Sequence, residues 1–146
     1  MRRILVMLCL ACIASTVAAQ GGRADDAAIR AYVASYASAI NKRDAAAVAA
    51  LFATDGDIVA LDEPPAAGRE AVRKSTVTQL ASWAATRRIT LTVRSIRYLA
   101  ADVAIAEVAA QFNEGSVRED RGTNVLVKRN GVWLLAALRI LPAQHP

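Results

Sequence analysis

Three polar side chains near the end of the chain, Asp120, Asn124 and Arg139, have the spacing to form one reactive cluster. Asp120 and Asn124 lie four residues apart in a segment of period two, which predicts a strand that carries both on one face. An Asn-Gly pair at 130–131 predicts a two-residue hairpin turn, and its register brings Arg139 opposite Gly122 on that face. The positive charge of Arg139 would keep the Asp120 carboxylate ionised, and the carboxylate could then orient a polar ligand group or accept a proton from an activated carbon. A cross-strand ion pair at the rim of a dimer is the more ordinary interpretation.

Aromatic side chains form a second group of candidates. Tyr32 and Tyr36 share the apolar face of a predicted helix, together with apolar residues at helical spacing between 29 and 40. Such tyrosines most often pack in a core with their hydroxyl groups hydrogen-bonded, and contact with a ligand is the alternative. Trp83 and Trp133 are predicted as packing residues, either of which could line a pocket.

The composition argues against several classes of function. The single histidine, His145, lies in the C-terminal tail, so the sequence predicts no histidine-based metal site. There is no Gly-rich phosphate loop, and no organic cofactor is predicted. The 18 Lys and Arg residues are scattered and face 13 Asp and Glu residues, so no basic stripe predicts nucleic-acid binding.

Residues 1–19 have the pattern of a cleaved signal peptide. Two arginines at 2–3 precede an apolar segment at 4–13 that is too short to span a bilayer, and small residues at 17–19 suit cleavage after Ala19. We therefore expect a periplasmic or secreted protein with no membrane attachment. The alternative is a lipoprotein in which Cys12 is lipidated.

The candidates are carried by one predicted domain, residues 25–141, between a flexible leader at 20–24 and a tail at 142–146. Asp25 or Asp26 is expected to cap a helix that ends near Asn41. Asp44 caps a second helix, Asp55-Gly56 predicts a turn, and a third helix opens at Gly68. The predicted strands are 57–61, 89–99, 103–113, 117–129 and 132–141. Helices followed by an antiparallel sheet define an α+β fold.

The last hairpin is apolar on both of its faces. In the predicted register Leu126 and Leu135 share one face, while Val125, Val127 and Leu134 share the other. An antiparallel ribbon with one wet face alternates more cleanly than this. One face is therefore expected to cover the helices, and the other to meet a second copy in a homodimer through the sheet.

Taken in order, three motifs resemble the nuclear-transport-factor-2-like superfamily, and within it the small SnoaL-like bacterial proteins related to polyketide cyclases and steroid isomerases. They are the run from Tyr36 through Asn41 and Asp44 to residues 50–56, the GREAV segment at 68–72, and NGVWLLAALR at 130–139. The resemblance implies a cystatin-like cone, in which a strongly curved antiparallel sheet wraps around three N-terminal helices. It also implies an apolar pocket and a dimer through the sheet.

The resemblance also implies roles for particular residues. Tyr36 falls at the position of a tyrosine that donates a hydrogen bond in steroid isomerases. Their general base falls near Ala60 here, which cannot take a proton, so Asp57 is the neighbouring candidate. Their second donor corresponds to Asn124, and cyclase-like members imply a pocket carboxylate, for which Asp120 is the candidate. Scytalone-dehydratase-like members need histidines that this domain lacks.

Three functions follow as expectations. The leading one is binding of a small, largely apolar molecule in the cone, with Tyr32, Tyr36, Trp83, Asn124 and Arg139 as ligand-binding residues. The second is a cofactor-free isomerase, cyclase or hydrolase with Asp120, Asp57 and Tyr36 as catalytic residues. The third is a structural or accessory homodimer with a filled cone.

Overall fold

A computed structural model describes residues 11–60, 63–114 and 119–141. Expectations for residues 1–10, for the turn at 115–118 and for the tail with His145 lie outside these ranges. The elements are α1 (Ala11–Asn41), α2 (Ala45–Ala50), β1 (Phe52–Ala60), β2 (Ala66–Ala67), α3 (Arg69–Ser82), β3 (Ile89–Ala100), β4 (Val103–Phe112), β5 (Glu119–Arg129) and β6 (Val132–Leu141). Within the described ranges, no helix is long and apolar enough to cross a membrane.

The strands form one six-stranded sheet in the order β2-β1-β6-β5-β4-β3. Strands β3 to β6 make an antiparallel meander, and β1 joins the edge of β6 in parallel. The helices cover one face of this sheet, and residues from both layers form the core, among them Ile29, Val48, Phe52, Val72, Leu126 and Leu135. The predicted α+β fold is confirmed.

The start of α2 agrees with the sequence prediction, whereas the start of α1 does not. Asp44 caps α2 as predicted, because its Oδ1 accepts a hydrogen bond from the backbone N–H of Ala47 at 2.8 Å. Helix α1 already includes residues 20–24, where the sequence predicted a flexible leader. Asp25 and Asp26 lie inside that helix, so the prediction that one of them caps it is wrong. Both carboxylates instead bind side chains of the sheet.

Strand β1 is longer than predicted and contains no turn at Asp55-Gly56. The strand runs from Phe52 with an irregularity in its pairing to β6 between Phe52 and Asp57. A Cβ atom at Gly56 would lie 2.5 Å from the backbone oxygen of Leu135, so the close approach of two strands requires glycine here. A glycine is therefore needed at position 56, but the reason is this close contact and not the positive φ of a turn.

The hairpin of β5 and β6 begins in the predicted register and then shifts by one residue. Asn130 and Gly131 have φ of 52° and 79°, as a tight primed turn requires. Leu126 pairs with Leu135 as predicted, but Val125 pairs with Ala137, so β6 carries one extra residue. Beyond this bulge every side chain of β6 changes face relative to the prediction.

Candidate functional site

A cavity of about 340 Å³ lies between α1, α3 and the inner face of the sheet. Its walls are largely apolar and include Ile40, Ile89, Leu91, Val108, Phe112 and Leu138. Polar side chains also reach it, among them Tyr36, Glu63, Arg87, Asp120 and Asn124. The arrangement is that of a binding site in which a few polar groups orient an apolar molecule.

Tyr36 is carried into the cavity wall by α1, one turn after Tyr32. The hydroxyl group of Tyr32 donates to the backbone oxygen of Leu51 at 3.3 Å, and the side chain is buried in the core. Tyr36 packs near Phe52, and its hydroxyl group makes no hydrogen bond to the described residues. Burial, followed by the carboxylate of Glu63, raises the pKa of Tyr36 well above its ordinary value. The hydroxyl group is therefore a protonated donor at neutral pH.

Asn124 lies on the inner face of β5, where only 7% of its surface is exposed. Its Oδ1 is buried and has no hydrogen-bond partner among the described residues. Gly122 comes two residues earlier on the same face and also lines the cavity. A Cβ atom at Gly122 would lie 3.6 Å from Asn124 Oδ1, so a side chain at this position of the cavity lining would lie beside the amide.

Arg87 contributes a cation to the wall that the sequence analysis did not select. Its guanidinium carbon lies 4.6 Å from the ring centre of Trp83 and 4.2 Å from that of Phe112. The two rings meet edge to face with centres 5.5 Å apart. Arg87 belongs to the connection after α3 and Phe112 to the end of β4, so no local pattern brings them together. From the sequence, the adjacent arginines 87–88 are interpreted as part of an ordinary solvated surface.

Glu63 is a second residue that the sequence analysis missed. It follows the end of β1 by three residues, and Gln79 Nε2 donates to its Oε1 at 3.2 Å. The residue lines the cavity close enough to Tyr36 to affect that hydroxyl group. Its position was a usable signal, because the resemblance placed a general base near Ala60, which also lines the cavity.

Asp57 and Arg139, both predicted for the site, lie on the outer face of the sheet instead. Ile58 packs against the core and Ala60 lines the cavity, so alternation turns Asp57 outward. The bulge in β6 turns Arg139 outward too, where its Nη2 lies 2.8 Å from Asp57 Oδ2. The prediction that Arg139 joins Asp120 in one cluster is therefore wrong. Arg139 does form a cross-strand ion pair, but its partner is Asp57.

Two contacts hold the wall in place. Arg43 has a φ of 58° and donates to the backbone oxygens of Leu80, Trp83 and Ala84 at the C-terminal end of α3. Asn41 pairs with both backbone groups of Ile89, donating at 2.9 Å and accepting at 2.8 Å. These bonds fix the segment that carries Trp83 and Arg87.

The site thus offers donors in Tyr36 and Arg87, and oxygen acceptors in Glu63, Asp120 and Asn124. Such a set can orient a polar ligand group, and its carboxylates can accept a proton. In the part of the chain that the structure describes, no group of three histidine, cysteine, aspartate or glutamate side chains could hold a metal ion.

This curved sheet, with helices and a cavity on its inner face, has the architecture of the nuclear-transport-factor-2-like, or cystatin-like, cone. The model of the SnoaL-like domain matches residues 29–139, and the chain belongs to that family. A comparison with curated proteins finds no match.

Solved structures share the fold at low sequence identity. A cystatin-like NTF2-like protein from Novosphingobium aromaticivorans superposes with a TM-score of 0.78 at 17% identity over 94% of each chain. A ketosteroid isomerase-like protein from Erwinia carotovora atroseptica gives 0.68 at 20%, over 82% of this chain and 96% of its own. A type 2 hexachlorocyclohexane dehydrochlorinase gives 0.71 at 19%, over 86% and 89%. At these identities the likeness establishes the fold and leaves the activity open.

Proposed function

We propose that this protein binds a small, largely apolar organic molecule in the cone. One observation carries the proposal: an open, mostly apolar cavity of about 340 Å³ is lined by residues with polar atoms that have no partner among the described residues. The hydroxyl group of Tyr36 and the amide of Asn124 would contact the ligand, and Trp83 would form part of the wall. A cavity of this size argues against the filled cone of a purely structural protein.

Filling the cavity tests this function. The probe is 2-naphthol, a neutral molecule small enough for the space, and its binding is measured by titration calorimetry. Gly122→Leu should abolish binding, because the new side chain would project beside Asn124 and Leu138. Ala46→Leu is the matched control, since this alanine is exposed on α2 and binding should survive. Equal binding by native protein and Gly122→Leu would contradict the proposal.

Cofactor-free catalysis is the second candidate function. The carboxylates of Asp120 and Glu63 line the same cavity as the protonated hydroxyl group of Tyr36, which places acceptor and donor groups around one space. Structural neighbours named as isomerase-like and dehydrochlorinase proteins favour such a reaction. Once a ligand is identified, Asp120→Asn or Glu63→Gln should abolish its turnover while binding is retained. Unchanged turnover in both variants would contradict the role of these carboxylates, and no turnover by native protein would leave binding as the function.

We also propose a homodimer through the outer face of the sheet. Apolar side chains from three strands share that face and remain only partly covered: Val103, Ile105, Val125, Val127 and Leu134. A contiguous apolar surface of this kind is typical of an interface. Ile105→Glu should convert a dimer into a monomer in light scattering, whereas Val77→Glu, on an exposed position of α3, should not. A monomeric native protein at micromolar concentration would contradict the proposal.

Export is proposed from residues 1–19 alone. Their basic start, short apolar segment and small residues support cleavage after Ala19 and a periplasmic or secreted location. Intact mass measurement of the protein from the periplasmic fraction of a Gram-negative host should give a chain that begins at Gln20. A lipid-modified mass that is lost in Cys12→Ser would instead support the lipoprotein alternative.

A further inference from the structure

Two buried side-chain atoms lack a hydrogen-bond partner in the described ranges, and both belong to residues that line the cavity. They are Nε of Arg87, a donor, and Oδ1 of Asn124, an acceptor. Buried polar atoms in folded proteins are almost always paired, so each exception needs an explanation. Two exceptions that meet in one cavity have a common explanation in a ligand that pairs with both.

The surroundings of Arg87 specify what its partner must be. The guanidinium group is held between the rings of Trp83 and Phe112, and no described carboxylate forms an ion pair with it. Its Nε, a donor at one edge of the planar guanidinium group, has no partner among the described residues. That edge has the geometry of a carboxylate, which accepts two parallel hydrogen bonds from it.

The acidic side chains of the cavity do not fill this role. Glu63 accepts a hydrogen bond from Gln79, and Asp120 has an interaction of its own. These two carboxylates repel an anion, while Arg121 adds a second positive charge to the cavity lining. Arg121 is exposed, whereas Arg87 has a buried donor without a partner among the described residues, so an anionic ligand group is expected beside Arg87, which would fix the orientation of the ligand.

We infer that the ligand of this cavity is an organic carboxylate with a compact apolar body that also carries a hydroxyl or N–H donor. The carboxylate binds the guanidinium edge of Arg87, the apolar body lies against the aliphatic wall, and the donor bonds Asn124 Oδ1. The inference rests on the proposed binding function and narrows it to one class of ligand.

Three probes with one ring system test the inference on the full native protein by titration calorimetry. They are 2-naphthoate, its neutral amide 2-naphthamide, and 6-hydroxy-2-naphthoate. The carboxylate should bind at least about tenfold more tightly than the amide, as a charge-assisted bidentate pair implies. The hydroxyl group should add a further gain of about threefold or more, which Asn124→Leu removes.

Matched arginine variants identify the cation responsible. Arg87→Met keeps the packing against Trp83 and Phe112 and should remove the preference for the carboxylate. Arg87→Lys keeps the charge without the planar fork and should retain only part of that preference. Arg88→Met is the control, because this neighbouring side chain is exposed and bonds only backbone oxygens, and it should keep the full preference.

The outcomes separate this inference from the proposed function. If native protein binds 2-naphthamide as tightly as 2-naphthoate, Arg87 is hydrated and the inference fails, while the binding function stands. A carboxylate preference that survives Arg87→Met would also overturn it. If 2-naphthol and all three naphthalene probes fail to bind, the binding function and the inference fail together. A hydroxyl gain that survives Asn124→Leu overturns the assignment of the donor.

Discussion

The two ends of the β5–β6 hairpin differ in how their polar groups are paired. At the turn end, Asp25 accepts hydrogen bonds from Lys128 and, at 3.1 Å, from Trp133 Nε1. Tyr98 packs near Trp133 and donates to Asp26 at 2.7 Å. Helix α1 is thus tied to the sheet by bonds in which each polar group meets a partner from the protein itself.

At the other end the same two strands border the cavity, where the pairing of polar groups is incomplete among the described residues. Asn124 Oδ1 and Arg87 Nε are buried with no partner in the part of the chain that the structure describes, and Tyr36 lines the same cavity. Burying such groups costs free energy unless something pairs with them. One end of the cone is therefore held together by paired polar groups, whereas the other leaves polar groups that the proposed ligand would pair.

The largest expected effect is a loss of stability, and it should differ between the two tryptophans. Trp133→Ala should lower the free energy of unfolding by about 3–5 kcal/mol, because the ring is buried and its N–H is bonded. Trp83→Ala should cost less than half as much, because this ring is only partly buried beside an existing cavity. Urea unfolding of both variants measures the two values. Equal losses would remove the distinction between the ends.

The second prediction concerns pH and the carboxylate of Asp25. The hydrogen bond from Lys128 is the main cause that lowers the pKa of Asp25, with the bond from Trp133 adding to it against the effect of burial. A lowered pKa means that the unfolded chain binds the proton first as pH falls, so the stabilisation is complete above the unfolded pKa of about 3.9. It is lost as pH falls through the folded pKa.

Asp25→Ala should therefore cost about 1–2 kcal/mol at pH 7, because it leaves Lys128 and Trp133 without their acceptor. Urea unfolding from pH 7 down to pH 3 should show this difference from native protein shrinking at the acidic end. Asp55→Ala is the control, since its ion pair with Arg129 is exposed. A difference that stays constant with pH would show that the charge of Asp25 is not what stabilises this end.

Local patterns predicted three helices and five of the six strands from the sequence, although not all of their boundaries. Asp44 caps α2 and the Asn-Gly turn at 130–131 begins the last hairpin, because each depends on residues that are neighbours in the chain. The extra residue at Ala136 could not be predicted in this way. The bulge lies where β6 pairs with both β1 and β5, and the single shift moved Arg139 to the outer face.

The sequence predicted only those residues of the candidate site whose positions depend on local patterns. Tyr36, Trp83, Asp120 and Asn124 line the cavity, because alternation and helical spacing assign them to the inner side. Arg87 was missed because its position depends on rings brought together only by the folded chain. The residues that local rules predict form the wall, and long-range packing determines which cation reaches it.

A third prediction compares two asparagines, one bonded to the backbone and the other with an oxygen that has no partner among the described residues. Asn41→Leu should cost about 2 kcal/mol, because both backbone groups of Ile89 lose their partner. Asn124→Leu should change the stability of the ligand-free protein by less than about 0.5 kcal/mol or raise it, since it removes an unpaired buried oxygen. Thermal unfolding of both variants measures the contrast. A large loss in Asn124→Leu would mean that the amide is paired after all.

The smallest expected effect comes from two hydroxyl groups one helical turn apart. Tyr32→Phe should lower the free energy of unfolding by about 1 kcal/mol, because it removes the bond to the Leu51 oxygen. Tyr36→Phe should leave stability unchanged within error, because its hydroxyl group bonds no described residue. Ligand affinity should show the reverse order: Tyr36→Phe should weaken binding of a probe with a hydrogen-bond acceptor, and Tyr32→Phe should not. If each substitution changed both stability and affinity, the two hydroxyl groups would not have separate roles. Tyr36 would then be an ordinary part of the core.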